Sequence, residues 1–186
     1  MSRFTCQVLP LPGLVRVQRQ PRADARGLFE RLFCSDELAA AGWLQPVAQI
    51  NRSITLQRGT VRGLHYQRMP HAEMKLVSCL HGEVWDVAVD LRPESPTFLR
   101  WHAEVLSPDN ACAMLIPPGF AHGFQTLSDQ AELLYLHSVA YAPDFEAGLN
   151  PLDPHLAVDW PLPVQGLSAR DRDQALLTED FEGVRA

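Results

Sequence analysis

The sequence predicts a mainly β fold, a jelly-roll sandwich or barrel with a few short peripheral helices. Fifteen prolines and eleven glycines cut the chain into short segments. Many of those segments are runs rich in β-branched and aromatic residues, the composition that suits a pleated, half-buried surface. Turn-forming clusters separate the runs at hairpin spacing with no long helix between them, the pattern of an all-β architecture that leaves a cavity between or inside its sheets.

In chain order, the first strand is expected over 14–18. A single good helix follows, with Ser35 as N-cap, Asp36 and Glu37 in the first turn where the helix dipole favours acid, Leu38-Ala39-Ala40-Ala41 as body and Gly42 as stop. Strands are then expected over 47–54, 60–66, 75–80 and 83–91, the last two joined by a turn at His81-Gly82. Arg92-Pro93-Glu94-Ser95-Pro96 precedes a strand over 98–106, and Ser107-Pro108-Asp109-Asn110 precedes one over 113–116. Pro117-Pro118-Gly119 leads to 123–127, and Ser128-Asp129 leads to 132–138. Beyond Trp160 the Pro161-Leu162-Pro163 stretch opens a polar tail, about 161–186, expected to pack back over the body.

At 186 residues, 46% hydrophobic and 20% charged, the chain is expected to form one domain over 1–186 with one sizeable core. A formal net charge of −6 without blocks of like charge argues against a nucleic-acid protein held by phosphate neutralisation. It still permits a small anionic ligand held by a few local arginines. The N-terminus lacks a basic region followed by an apolar run, and no 18 apolar residues run together, so neither export nor a membrane partner is expected. Cys6, Cys34, Cys79 and Cys112 are widely spaced, which favours free, buried thiols in a reducing, cytoplasmic setting.

Two histidine segments carry the first chemical signal. Gly59-Thr60-Val61-Arg62-Gly63-Leu64-His65-Tyr66-Gln67 puts His65 and Gln67 on one face of a strand, because side chains alternate with period two. Ile116-Pro117-Pro118-Gly119-Phe120-Ala121-His122-Gly123-Phe124 places His122 just beyond a rigid turn. The pair resembles the two metal-binding motifs of the cupin superfamily, with Gln67 where the second histidine would stand and Thr126 in place of an asparagine. An amide is a poor transition-metal ligand. A set of His65, Glu73 and His122 keeps a metal-dependent cupin enzyme as an alternative.

Longer runs sharpen the resemblance. Arg62-Gly63-Leu64-His65-Tyr66-Gln67, Lys75-Leu76-Val77, the run from Gly82 to Arg92, Ser95-Pro96-Thr97-Phe98, the run from Ile116 to Phe124, Ala131-Glu132-Leu133-Leu134-Tyr135 and Asp159-Trp160-Pro161 follow one another as in the dTDP-4-dehydrorhamnose 3,5-epimerase family. The chain resembles that family from about Asp24 to Asp171. The resemblance implies a cupin-like jelly roll and an epimerase that inverts C3, C5 or both of a nucleotide-linked 4-keto-6-deoxyhexose. The 4-keto group acidifies both neighbouring C–H bonds, so the reaction needs a base, an opposed acid and a cation at the enolate oxygen, and no cofactor or metal. No Gly-x-Gly-x-x-Gly fingerprint is present to hold a redox cofactor.

Matched to the family's motifs, His65 is the general base, Asp171 the carboxylate that fixes its tautomer, Lys75 the cation at the enolate oxygen and Tyr135 the acid on the other face. A neutral imidazole suits a base near neutral pH, and a phenol stays protonated there. The same matching makes Arg26, Gln49, Asn51, Arg62, His122, Glu146 and Arg170 substrate-binding candidates, with arginine suited to a pyrophosphate through its planar fork. It also implies a homodimer in which an N-terminal strand adds to the partner's sheet. Departures from the family pattern are Arg31 for an acid, Glu73 for a glutamine, Leu136 for a lysine and Ala140 for a tyrosine.

His71, His81, His102, His137 and His155 have no convergent partners in the sequence and are read as surface or packing residues, with Trp85 and Phe98 as core. A sugar-nucleotide binder without catalysis is the remaining alternative, and it has no need of an opposed base and acid.

Overall fold

A computed structural model describes residues 2–185; Met1 and Ala186, at the two ends of the expected domain and tail, lie outside the described residues. The strands are β1 (Phe4–Val8), β2 (Val15–Arg19), β3 (Arg22–Asp24), β4 (Gly27–Phe29), β5 (Gln49–Thr55), β6 (Val61–Gln67), β7 (Lys75–His81), β8 (Val84–Asp90), β9 (Trp101–Leu106), β10 (Cys112–Ile116), β11 (Phe120–Thr126), β12 (Ala131–His137) and β13 (Glu146–Gly148). Two one-turn helices, α1 (Ser35–Leu38) and α2 (Ala169–Arg172), complete the set with two 3₁₀ turns.

Two antiparallel sheets face each other, one of six strands in the order β1-β2-β10-β7-β12-β5 and one of five in the order β13-β6-β11-β8-β9. This is the mainly β, jelly-roll class that the sequence predicts. The β3–β4 hairpin stands apart from both sheets. Leu14, Val77, Ala88, Met114, Phe120, Phe124 and Leu133 fill the space between the sheets. Leu38, Trp43 and Phe4 cover the outer face of the six-stranded sheet over Val15, Leu76 and Leu115. Leu156, Leu177 and Val184 cover the outer face of the other sheet over Leu64, Val87 and Val89. Because both faces of the central strands are covered, β10 and β11 are buried at every position; β10 reads as a continuous apolar run, while β11 also buries His122, Gln125 and Thr126.

The C-terminal segment is stitched to the five-stranded sheet. Val61 N–H donates to Gly166 O at 2.8 Å and Gln165 N–H to Gly59 O at 3.0 Å. The buried Gln125 amide donates to Leu162 O and accepts from its N–H, both at 2.9 Å.

Local expectations need correction in places. Cys34, extended at φ −153°, is the N-cap of α1, and Ser35 is already its first residue; no side chain caps the turn. Glu37 is drawn away to accept from Arg3 N–H at 2.5 Å. Gly42, at φ +105°, does end the segment as a left-handed stop. Strand β9 begins at Trp101 rather than 98, because Phe98 and Arg100 donate back into a turn, to Ser95 O and Thr97 O. Strands β1, β3, β4 and β13 went unanticipated. β1 buries only Phe4 and β3–β4 buries nothing, so neither carries an apolar pattern. Of the four free cysteines, Cys79 and Cys112 are buried, Cys34 is partly buried and Cys6 is exposed on β1, against the expectation that all four are buried.

Candidate active site

Period two explains how the site is assembled. On β7 the inward positions are Lys75, Val77 and Cys79; on β12 they are Leu133, Tyr135 and His137; on β5 they are Gln49, Asn51 and Ser53. The facing sheet contributes His65 and Gln67 from β6, His122 and Phe124 from β11, and Asp86 from β8. One end of these ladders is apolar and makes the core. The other end is polar, and there the sheets part around a cavity of about 400 Å³.

His65 is aimed by its strand. Gly63, at φ +129°, crosses β11 so closely that a Cβ would sit 2.6 Å from Gly123 Cα, which sets His65 opposite His122 in register. His65 Nε2 lies 2.6 Å from Asp171 Oδ1, across 106 positions of sequence. The imidazole keeps about a third of its surface exposed, while the Asp171 side chain keeps 5%. Asp171 sits in α2, whose N-cap Ser168 accepts from the Asp171 N–H at 3.0 Å. Burial raises the Asp171 carboxyl, but the hydrogen bond and charge of His65, the Ser168 hydroxyl and the Gly63 N–H outweigh it and hold the group below its ordinary range. With Nε2 committed to this carboxylate, Nδ1 is the nitrogen left for a base.

Across the cavity, the Tyr135 hydroxyl is 3.0 Å from Ser53 Oγ. Burial pushes the phenol well above its ordinary value, only partly offset by Ser53, so it is a held proton donor. Lys75 Nζ is paired with Glu73 Oε1 at 3.0 Å. His122 Nε2 meets Asp86 Oδ1 at 2.8 Å, and its ring stands edge-on to Tyr135 with centroids 6.1 Å apart. Asp86 is fully buried, and its Oδ2 has no hydrogen-bond partner among the described residues.

Of the residues singled out in the sequence, His65, Lys75, Tyr135, Gln49, Asn51, Arg62, His122 and Glu146 line one cavity. Asp171 and Arg170 border a smaller hollow that shares Arg62 and His65 with the first. Arg170 pairs with Glu146 at 2.7 Å, and Tyr141 OH donates to the same carboxylate at 2.5 Å. Arg26 does not join them. It lies on the β3–β4 turn with 90% of its side chain exposed, paired with Asp24, because that hairpin leaves the body of the chain. Gln67, in the position of a cupin ligand, is spent on backbone: its amide accepts from Ala142 N–H and donates to His71 O.

His137 corrects the reading of it as a surface or packing residue, since it lines the cavity and donates from Nδ1 to Glu73 Oε2 at 2.7 Å. Ser53 and Tyr141 also line the cavity unanticipated, and Glu73 lines it as the ion-pair partner of Lys75 rather than as a metal ligand. Their signal was available in the spacing, for Ser53 follows Asn51 by two, Glu73 precedes Lys75 by two and His137 follows Tyr135 by two. The proposed metal set does not converge either. His65, Glu73 and His122 turn to Asp171, to Lys75 and His137, and to Asp86, and among the described residues no trio of His, Cys, Asp or Glu is grouped to hold a metal.

An imidazole–carboxylate pair, a buried ammonium and a phenol around one polar hollow can move protons on and off carbon next to a carbonyl. Comparison with known proteins points to the same chemistry. A family-wide sequence pattern described as dTDP-4-dehydrorhamnose 3,5-epimerase matches residues 8–179. A dTDP-4-dehydrorhamnose 3,5-epimerase of Salmonella typhimurium is 47% identical over 176 residues, covering 91% of this chain and 96% of that one. A dTDP-4-dehydrorhamnose 3-epimerase of Streptomyces niveus is 42% identical over 172 residues, covering 92% and 83%. A Legionella pneumophila dTDP-6-deoxy-D-glucose-3,5-epimerase, solved in complex with dTDP-4-keto-L-rhamnose, superposes with a TM-score of 0.91 at 37% identity, covering 98% of each chain. With the pattern spanning nearly the whole sequence and the fold matching over the same length, the chain belongs to the dTDP-4-dehydrorhamnose 3,5-epimerase family.

Proposed function

We propose that this chain epimerises C3, C5 or both of dTDP-4-dehydro-6-deoxyglucose by proton transfer through an enolate, with no metal or redox cofactor. His65 Nδ1 removes the proton from a carbon beside the C4 keto group. Asp171, bonded to Nε2, stabilises the imidazolium that results. The C–H electrons move onto the C4 oxygen, where the Lys75 ammonium donates a hydrogen bond to the enolate. The Tyr135 hydroxyl then protonates the carbon from the opposite face, and solvent resets both groups. A positioned acid or base contributes about 10²–10⁴-fold, so two of them leave enolate stabilisation and positioning to supply the rest.

The observation that carries this reading is His65 on one sheet, held by Asp171 of α2 at 2.6 Å, with Lys75 and Tyr135 facing it from the other sheet around one hollow. Arg62 and Arg170 are the cations for the pyrophosphate, with Gln49, Asn51, His122 and Glu146 as hydrogen-bonding contacts to the rest of the ligand. Relatives solved with dTDP-4-keto-L-rhamnose and dTDP-quinovose support a dTDP-linked sugar.

A homodimer fits Arg26 and the edges of the fold. Strand β1 is an edge exposed at every position after Phe4, and the β3–β4 hairpin exposes Leu28 and Phe29. Arg26 would then serve the partner's cavity. Four free thiols suit work in the cytoplasm, and no helix of the described residues is long and apolar enough to cross a membrane.

The test is proton NMR of dTDP-4-keto-6-deoxyglucose in D₂O. Wild type is expected to wash deuterium into at least one carbon beside the ketone, His65→Ala to abolish exchange, and Tyr135→Phe to keep exchange better than inversion. Exchange that survives in His65→Ala sinks the mechanism. Activity lost to a chelator points instead to a metal-dependent cupin.

A further inference from the structure

Lys75 is the only lysine in 186 residues, against fifteen arginines. The chain meets its surface need for cations with guanidinium and keeps its single ammonium in the cavity wall. There the side chains of Lys75 and Glu73 retain only 11% and 7% of their surface. Glu73 spends one carboxylate oxygen on Lys75 at 3.0 Å and the other on His137 Nδ1 at 2.7 Å.

From His137 a single line of hydrogen bonds runs outward. Asn51 Nδ2 lies 3.3 Å from His137 Nε2, Gln49 Nε2 lies 3.0 Å from Asn51 Oδ1, and the Tyr141 N–H lies 2.9 Å from Gln49 Oε1. A backbone N–H can only donate, so the polarity of the whole line is set from that end. Gln49 accepts from Tyr141 and donates to Asn51, Asn51 donates to His137, and His137 carries its proton on Nδ1 and gives that hydrogen bond to Glu73. Burial raises the Glu73 carboxyl, but His137 and Lys75 outweigh it and hold it below its ordinary value, so the line ends on an anion.

A buried ammonium without an anion sheds its proton, because desolvation penalises the charged form. The other charged or titratable groups around the cavity are Arg52 on β5, which is paired with Glu132, Arg62, His65 and Tyr66 on β6, His122 on β11, Tyr135 on β12, Tyr141 in the loop that follows β12 and Glu146 on β13, with Asp86 beneath it on β8. Asp86 feels the Lys75 charge, yet its hydrogen bond goes to His122. Glu146 is taken by Arg170 and Tyr141. Among the described residues, Glu73 alone forms an ion pair with the ammonium.

We propose that Glu73, anchored by His137 and the amide line that ends at Tyr141, is a positioning residue that keeps Lys75 protonated and aimed at the substrate's enolate oxygen. The catalytic part rests on the epimerase reading above. The pairing itself is measurable without turnover, and the single lysine makes the measurement clean. Protein labelled with lysine carrying ¹³C at Cε gives one side-chain resonance, whose pH titration reports the Lys75 ammonium directly.

In Glu73→Gln the midpoint of that titration is expected to fall by about one pH unit or more, a tenfold change in the ammonium's acidity. The alkaline limb of the kcat profile is expected to move with it, with kcat down by up to about tenfold at pH above both midpoints and KM changed by less than about threefold. Glu73→Asp keeps the charge but withdraws it by one methylene, so its midpoint falls between the two; it carries the test alone where Glu73→Gln does not fold. A midpoint unmoved in the folded variants overturns the proposal, as does a moved midpoint with wild-type kcat at every pH. Failure of the epimerase reading looks different: wild type would leave the sugar's protons unexchanged whatever the lysine signal does, and the positioning role would fall with it.

Discussion

Two histidine–carboxylate pairs sit side by side in this fold and do opposite things with the same chemistry. His65 and His122 face each other in register across β6 and β11, and each reaches a carboxylate through Nε2, at 2.6 and 2.8 Å. The carboxylate of the first pair arrives from a remote turn, receives several donors and is held ionised below its ordinary range. That of the second lies on the adjacent strand, fully buried with one orphaned oxygen, and burial pushes it up despite His122 and Lys75. The His65 ring keeps a third of its surface open, and the His122 ring keeps 7%. On the proposed mechanism His65 can act as a base because its carboxylate stays charged and its second nitrogen can be reached. The more buried His122 pair offers a fixed contact to the ligand instead.

The largest way to break the comparison is to break both pairs at once. Gly63→Ala places a Cβ 2.6 Å from Gly123 Cα at φ +129°, at the crossing that sets both histidines. Strained backbone of this kind costs about 1–3 kcal/mol before the clash is added. The expected outcome is a clear loss of stability in urea unfolding, with epimerisation down by about 10²-fold or more as His65 leaves its near-attack position. Wild-type turnover in this variant would mean the crossing does not aim His65.

Asp171→Asn should separate the pairs. It keeps the shape but can no longer hold the imidazolium, so kcat is expected to fall by about 10²–10⁴-fold with KM little changed. Its stability signature has a definite sign. A carboxyl depressed below its ordinary 3.8 stabilises the folded chain above that pH, and the contribution is lost as pH falls through the depressed value. The variant is therefore less stable than wild type at pH 7, and the gap closes in acid.

Asp86→Asn should show the reverse. A carboxyl raised above 3.8 by burial opposes folding as pH rises past 3.8, in full once pH exceeds its raised value, and the opposition fades as pH falls back toward 3.8. The variant is expected to melt at or above the wild-type temperature at pH 8, with the difference shrinking toward pH 4, and to lose less than about tenfold in kcat. Thermal melts of both variants across pH check the pair of signs together.

How far the sequence announced this contrast depends on the kind of signal. Lys75, Tyr135 and His65 lie on apolar, alternating strands, and period two alone gives them neighbours. His137 was legible by the same rule, but a lone histidine shows no partner in one dimension, and Glu73 enters the sequence reading as a metal ligand rather than as the partner of Lys75. Asp171 lies 106 positions from His65 in a polar tail, and only the family resemblance joined them. Arg26 had a motif but no place at the cavity, since a motif says nothing about which way a hairpin leaves the body. The sheets followed from burial on both faces, whereas β1, β3, β4 and β13 are short, exposed or held by partners and have no pattern of their own.

The smallest effect tests how Asp171 reaches its partner. Ser168 caps a single turn, accepting from the Asp171 N–H, and its hydroxyl also helps keep the carboxyl ionised. Ser168→Ala removes both contributions and leaves the His65 contact free to form. Loss of such a cap costs about 0.5–2 kcal/mol, here confined to one turn of the C-terminal segment. A carboxylate held in place for a smaller share of the time supports the imidazolium less, so on the proposed mechanism kcat should fall only about two- to tenfold, tenfold being about 1.4 kcal/mol. Amide exchange is expected to quicken at Asp171 and Arg172 and to stay unchanged in β8 beside Asp86. Equal loosening on both sides would mean that the two pairs are not independent, and the contrast between them would fail.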